Sequence, residues 1–372
     1  MNVLFIADPG SIHDLKWMEA MSHYHTCFVL VRHHHRDRVD PKELEHRNLK
    51  HLGIVHDFSV RKFIQTLSTA RILARLIAEH RIDVLHLLYA EPNALWANFS
   101  HRFSCKIVLT TRGTDVLKTI PSFARKRSPL AQIVAKLYMK GLERCDRITS
   151  TSLKQQAALL AFNPRLDASK LVCIRTGIDV DAIDRSAAVQ HSKPYVLFPR
   201  AMQPIYNHEC ALSAISKLPE HVRSTYCFVF VDADSSNLPY RTTIEGLMKD
   251  LPAEIPWLKH LETDALFGWM KSAAACVMTP HSDGTPVSAL EALAAGTALL
   301  LPDLGYDADL FGDTAYFYTP NDPSDLAVKL QHLLDQPNPS QRRVAAERVK
   351  ERASRINEMD RLQRLYLSLD AK

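Results

Sequence analysis

Two carboxylates eight positions apart, Asp283 and Glu291, carry the chemistry most visible in this chain of 372 residues. Asp283 opens a polar turn, Asp283-Gly284-Thr285-Pro286, which runs into a small-residue helix that carries Glu291 and stops at Gly296. Proline suits the first position of a helix, where the amide it lacks would go unpaired anyway. The amides that follow, from Val287 and Ser288 to Ala289, have no carbonyl one turn back, and the helix dipole adds positive charge there. Such a place suits a phosphate, and the carboxylates suit the hydroxyls of an attached sugar. Asp283 is placed to accept from sugar hydroxyls, and Glu291, nearly two turns on, from a ribose. A plainer account has Asp283 capping the helix and Glu291 on a solvated face. Against it, a carboxylate among Ala292, Ala294, Ala295 and Gly296 is costly unless it meets a partner.

The elements that must position these groups alternate strand and helix, which predicts an α/β fold with mainly parallel sheets covered by helices on both faces. Val3–Ala7, Thr26–Val31, Val84–Leu88, Lys106–Thr111 and Arg147–Thr151 read as strands of a first half. Val196–Pro199, Cys227–Val231, Ala275–Thr279 and Ala298–Pro302 read as strands of a second. Helical segments such as Leu15–His23, Val60–His80, Ser128–Arg144, Thr263–Ala274 and Pro323–Leu334 separate them. The pattern stops and restarts near Asp184–Lys193, so the expected domains are 1–187 and 188–350, with a C-terminal helix over 351–372. Gln341–Leu369 reads as one long charged helix without Pro or Gly.

Composition narrows the class. The chain is 46% hydrophobic and 23% charged, as a globular protein is. Seven cysteines are scattered without a Cys-x-x-Cys pair, which reads as buried thiols in a reducing compartment, the cytoplasm. No N-terminal apolar region precedes a cleavage site, and no apolar run approaches the ~20 residues that span a bilayer. The net charge of +5 divides unevenly, +10 over residues 1–190 and −5 over the remainder. The basic segment 118–147 holds eight cations against Glu143 and Asp146, with Leu130, Ile133, Val134, Leu137 and Tyr138 on one helical face. Its two readings are a helix docked on the anionic inner face of a membrane and a solvated helix packed on a core. Nucleic acid is not expected, because the cations lack interleaved aromatics. His33, His34 and His35 are adjacent and point in different directions, so no metal site is expected.

Asp-Gly-Thr-Pro-Val-Ser-Ala-Leu-Glu-Ala-Leu-Ala-Ala-Gly-Thr, from Asp283, resembles the signature of the retaining glycosyltransferases of family 4, which have the GT-B fold. Their usual pattern places Glu where this chain has Asp283. The resemblance implies two Rossmann-like doubly wound domains facing a central cleft, with a C-terminal helix crossing back to the first. It implies that Asp283 touches donor-sugar hydroxyls, that Gly284, Thr285, Pro286, Val287 and Ser288 hold sugar and diphosphate, and that Glu291 binds the ribose. Ile174-Arg-Thr-Gly-Ile-Asp179 is similar to the family turn before the linker. Trp257-Leu-Lys-His-Leu261 resembles the strand that holds the base through backbone groups, with Leu261 at its end.

Arg200 fits the first of two cations that bind the donor diphosphate in the family; its plainer reading is a surface arginine at a strand end. The second, a Lys, is missing from Ala201–His208, and Tyr206 or Asn207 is left to hydrogen-bond instead. Thr110-Thr-Arg-Gly-Thr-Asp-Val116 is similar to the family's His-Gly-Ser-Asp element. Arg112 there would stabilise charge on the leaving phosphate or else pair with Asp115. Asp8–Trp17 resembles a variant of the first family loop, in which Gly10, Ser11, His13, Trp17 and, from the other loop, Asp115 would line the acceptor side; alone, His13 reads as a helix-start residue.

The function these features imply is metal-independent, retaining transfer of a sugar, with no cofactor. The donor expected is a UDP- or GDP-linked sugar; the acceptor is a hydroxyl of a glycan, a lipid-linked molecule or a small molecule, as in building cell-surface glycoconjugates. Two alternatives stand beside it: a non-catalytic homologue binding a sugar or a partner enzyme, and a nucleotide-sugar epimerase.

Overall fold

A computed structural model describes residues 1–38, 40–232, 237–259 and 261–370. His260 of the base-binding segment, and residues 371 and 372 of the expected C-terminal helix, therefore lie outside the described residues. Among the described residues, thirteen strands form two wholly parallel sheets. The first contains β1 (Asn2–Ala7), β2 (Thr26–Arg32), β3 (Leu49–Val55), β4 (Val84–Leu88), β5 (Lys106–Thr111), β6 (Arg147–Ser150) and β7 (Leu171–Cys173). The second contains β8 (Tyr195–Phe198), β9 (Cys227–Asp232), β10 (Trp257–Lys259), β11 (Ala275–Val277), β12 (Leu299–Pro302) and β13 (Tyr316–Tyr318). Their orders are β3-β2-β1-β4-β5-β6-β7 and β10-β9-β8-β11-β12-β13, so each winds outward from its first strand and then reverses, as doubly wound folds do.

Alternation along each first strand sends side chains to two cores. Leu4 and Ile6 of β1 enter one cluster while Val3, Phe5 and Ala7 enter another. Tyr195 and Leu197 of β8 part from Val196 and Phe198 in the same way. Sheets covered on both faces make their inner strands continuous apolar runs, which is why those strands were readable. The unread strands β3, β7 and β13 all lie at sheet edges. Half of an edge strand's environment is not core, and its pattern is correspondingly weak: β3 runs Leu-Lys-His-Leu-Gly-Ile-Val, and only its first and last residues are buried.

The domain limits differ from the expected ones. One compact unit comprises residues 1–176 and the chain from Asn357; the other is Gly177–Ile356. Residues 177–187 therefore belong to the second unit, because Ile178 and Ile183 insert into its core and Asp179 caps the helix Val180–Arg185. The long charged C-terminal helix is two helices, Pro339–Ala353 and Arg355–Asp370. Ser354 between them is extended and pairs with Ile178, whose amide donates to the Ala353 carbonyl at 2.8 Å. Met359, Leu362, Tyr366 and Leu369 of the last helix complete the core of the first unit beside β1 and β2.

Candidate functional site

In the second unit, β8 and β11 are neighbours, and between them the strand order reverses. Loops leaving their carboxyl ends face the crevice where open α/β sheets bind ligands. Arg200 follows β8 and Asp283 follows β11, and the fold brings them together. One Arg200 terminal nitrogen lies 3.2 Å from Asp283 Oδ2, and the other donates to Ser288 Oγ at 2.8 Å. The guanidinium lies 4.0 Å above the Tyr206 ring centroid. Asp283 Oδ1 accepts from the Gly284 amide at 2.8 Å. The turn Pro204–Tyr206 is fastened to the loop after β11: Thr279 Oγ1 donates to the Tyr206 carbonyl at 2.7 Å, and the His281 amide to the Ile205 carbonyl at 2.9 Å.

Neither plainer account of the two carboxylates holds. Pro286, not Asp283, occupies the N-cap of the helix Val287–Ala294. Glu291 is buried, at 8% exposure, rather than solvated. Arg200 and the first amides of that helix thus gather positive charge beside the Asp283 carboxylate, with Ser288 Oγ bonded to Arg200. Asn207 departs from its expected role. It takes a left-handed conformation, φ 49°, caps the helix His208–Lys217, and donates to Asn321 Oδ1 at 3.0 Å. Its side chain is thereby committed to the scaffold. Leu261 is half-buried just beyond β10 at the sheet edge, packed on the core of this unit.

Sequence reasoning missed Tyr306. Its hydroxyl is buried without a hydrogen-bond partner among the described residues. Burial first, and then the Asp283 charge, push its pKa upward, with Arg200 opposing. The available signal was its place in Leu304-Gly305-Tyr306-Asp307, the loop leaving β12.

The first unit also pairs an arginine with an aspartate at its carboxyl edge, but not with the expected aspartate. Arg112 pairs not with Asp115 but with Asp14, at 3.0 Å, and its guanidinium covers the Trp17 ring at 4.5 Å. The guanidinium also donates to the His13 carbonyl at 3.4 Å and to Thr176 Oγ1 at 3.5 Å. Asp115 is fully buried and accepts from the amides of Ala90, Arg112, Gly113 and Val116 at 2.8–3.1 Å, which ties together the loops after β4 and β5. Trp17 is 0% exposed. Trp17 and Asp115 therefore cannot touch an acceptor. Of the other residues assigned to that side, Gly10 and His13 are exposed and Ser11 is half-exposed. Burial raises the Asp14 carboxyl above its ordinary value, with Arg112 opposing. Beside this pair, His86 is fully buried between Tyr366 and Thr110, and burial pushes its pKa down to about 3.

The apolar face of the basic segment packs on protein. In the helix Pro129–Arg144, Tyr138 is buried, and Val134 and Leu137 lie against the first core; Ile133 stays half-exposed. No helix among the described residues is long and apolar enough to cross a membrane. The three adjacent histidines part ways, His34 to Asp57 at 2.8 Å and His35 to Asp8 at 3.2 Å.

Residues 2–152 match the family model described as glycosyl transferase 4-like, and residues 179–352 the model described as glycosyl transferases group 1. Over 91 residues, 24% of this chain, the sequence is 35% identical to glycogen synthase of Mycobacterium tuberculosis, covering 22% of that protein. Over 213 residues, 53% of this chain, it is 23% identical to D-inositol 3-phosphate glycosyltransferase 2 of Catenulispora acidiphila, covering 50% of it. The chain thus spans between about a fifth and a half of the length of these curated relatives. A glycosyltransferase from Rickettsia africae superposes with a TM-score of 0.79 at 16% identity, over 100% of this chain and 99% of that one. An Anabaena protein solved with UDP superposes with a TM-score of 0.78 at 14% identity, over 99% and 100%. At those identities the likeness shows the fold.

Proposed function

This chain belongs to the GT4-type glycosyltransferases of the GT-B fold, and on that premise we propose that it moves a sugar from a nucleotide diphosphate sugar to an acceptor hydroxyl, with retention and without a metal ion. The observation that carries the reading is the meeting of Arg200, Asp283 and Ser288 at the helix start where the second sheet reverses. Arg200 and the first amides of the helix Val287–Ala294 supply the positive charge that a diphosphate needs, in the place where a metal would otherwise stand. Asp283 accepts from sugar hydroxyls, and Glu291 from the ribose. As the bond from the anomeric carbon to the phosphate oxygen breaks, the acceptor oxygen bonds that carbon on the same face. The acceptor proton passes to the leaving phosphate. Arg200 stabilises the charge that grows there, an effect worth about 10²–10³ in rate for a single well-placed donor. The Anabaena protein of similar fold was also solved with UDP-glucose, which supports a nucleotide-sugar donor.

Calorimetric titration with UDP and GDP tests the donor site, and NMR of the product's anomeric proton tests retention. One nucleotide should bind wild type and lose affinity in Glu291→Ala, and turnover should survive EDTA. Binding of neither nucleotide sinks the proposal. The absence of a Lys after Arg200 favours a second reading, a non-catalytic sugar-binding homologue. Hydrolysis or transfer of any nucleotide sugar removes it.

A further inference from the structure

Residues beyond the ends of β3, β4 and β5 enclose a pocket of about 360 Å³ within the first unit. That volume lies at the small end of ligand pockets, roughly 300–1,000 Å³. Its wall is apolar, formed by Phe58, Pro92, Leu95, Phe123, Val134 and Tyr138. Two exposed cations, Arg61 and Lys126, stand at its rim, and Lys126 Nζ lies 5.4 Å from the Phe123 ring centroid. One carboxyl, Glu91, also lines it. Burial raises that carboxyl above its ordinary value, with Arg32 opposing. A carboxyl set in an apolar wall is costly unless a hydrogen-bonding group meets it. Outside the mouth the apolar surface continues. Arg61 also borders a neighbouring hollow that includes Phe63 and Ile64, which are 55% and 86% exposed.

We propose that this pocket binds the second substrate of the transfer and that this substrate is an anionic amphiphile. Its apolar chain lies against Phe58, Leu95 and Phe123, its anionic group meets Arg61 and Lys126, and a hydroxyl meets Glu91. The word substrate rests on the glycosyl-transfer reading; the ligand chemistry rests on the pocket. Apolar walls with cations at the entrance select a molecule that carries both features, because either alone leaves half of the site unsatisfied.

The test is calorimetry on the full chain with octyl phosphate below its micelle-forming concentration, octyl glucoside, and inorganic phosphate, with UDP titrated into each protein. Octyl phosphate should saturate at one site, and inorganic phosphate, even where it occupies the donor phosphate site, should not displace it. Val134→Trp, which fills the pocket, should weaken octyl phosphate by about tenfold or more. Lys126→Glu, at an exposed position, should weaken it by about fivefold and leave octyl glucoside unchanged. Octyl phosphate that fails to saturate, or that binds wild type and Lys126→Glu alike, overturns the proposal even if Val134→Trp does not fold. If UDP binds while octyl phosphate does not, this inference alone fails. If octyl phosphate binds while UDP and GDP do not, the pocket stands and the transfer reading fails.

Discussion

The two units share a strand order, and each places an arginine, an aspartate and an aromatic ring at the carboxyl edge of its sheet. In the first, Arg112 pairs with Asp14 over Trp17, and the two charged side chains are 10% and 6% exposed. In the second, Arg200 pairs with Asp283 over Tyr206, at 17% and 18% exposed. The chemistry of the two trios is nearly the same, but their surroundings are not. Trp17 is sealed in the core, and Arg112 is held on several sides by the first turn of the helix Ile12–Ser22 and by Thr176. Arg200 instead stands at the start of a helix whose first amides face the same spot. A trio enclosed by its own chain fastens loops. A similar trio left partly open beside a helix N-terminus has charge to offer a ligand.

Four measurements break or sharpen this contrast. The largest expected effect is on stability. Asp14→Ala leaves the Arg112 charge buried without its partner, which should cost about 3–5 kcal/mol and lower the melting temperature by roughly 10 °C. Asp283→Ala in the more open trio should lower it far less; equal losses in thermal unfolding would erase the distinction. Next, Arg200→Ala should reduce kcat/KM for the donor by about 10²–10³-fold while keeping the wild-type fold by circular dichroism. A loss confined to stability would move Arg200 into the structural class.

The third concerns pH. The folded His86 imidazole, at about 3, lies below its ordinary 6.5, so the unfolded chain takes up that proton first as pH falls. The stability gained by keeping His86 neutral is whole above pH 6.5 and drains away toward pH 3, about 2 kcal/mol of it by pH 5. Asp14 and Asp115, whose carboxyls are raised, act oppositely in acid. The measurement is therefore the difference in urea stability between wild type and His86→Gln, which should shrink as pH falls from 7 to 5. The second unit holds His208 down to about 4 by burial, so a matching variant there should show the same sign. The smallest effect is Trp17→Phe, which weakens the ring beneath Arg112 and should cost about 1 kcal/mol. Its acceptor KM should not change, since the indole is enclosed; a raised KM would return Trp17 to the acceptor side.

Much of the scaffold was legible in the sequence, and the parts that were not share a cause. Inner strands such as Val84–Leu88 announce themselves because both faces are buried, whereas edge strands β3, β7 and β13 do not. The helix break at Ser354 has no Pro or Gly to mark it, because the Ile178 backbone, distant in sequence, takes over the bonds at that point. Nothing near Tyr306 in sequence reveals that its hydroxyl is buried within the electrostatic reach of Asp283. The capping role of Asn207 is invisible along the chain because it depends on a left-handed turn and on Asn321.

By itself, then, the sequence determined the two parallel sheets, the helix of small residues that carries Glu291, and the family to which the chain belongs. These are written in local periodicity and in a contiguous motif, so neighbours along the chain suffice to specify them. Only the tertiary structure decided which acid each arginine meets and which carboxylates are enclosed. It also decided that the first unit holds an apolar pocket with a carboxyl in its wall. Those outcomes depend on loops from separate strands converging at one end of a sheet, and on how much water that convergence excludes.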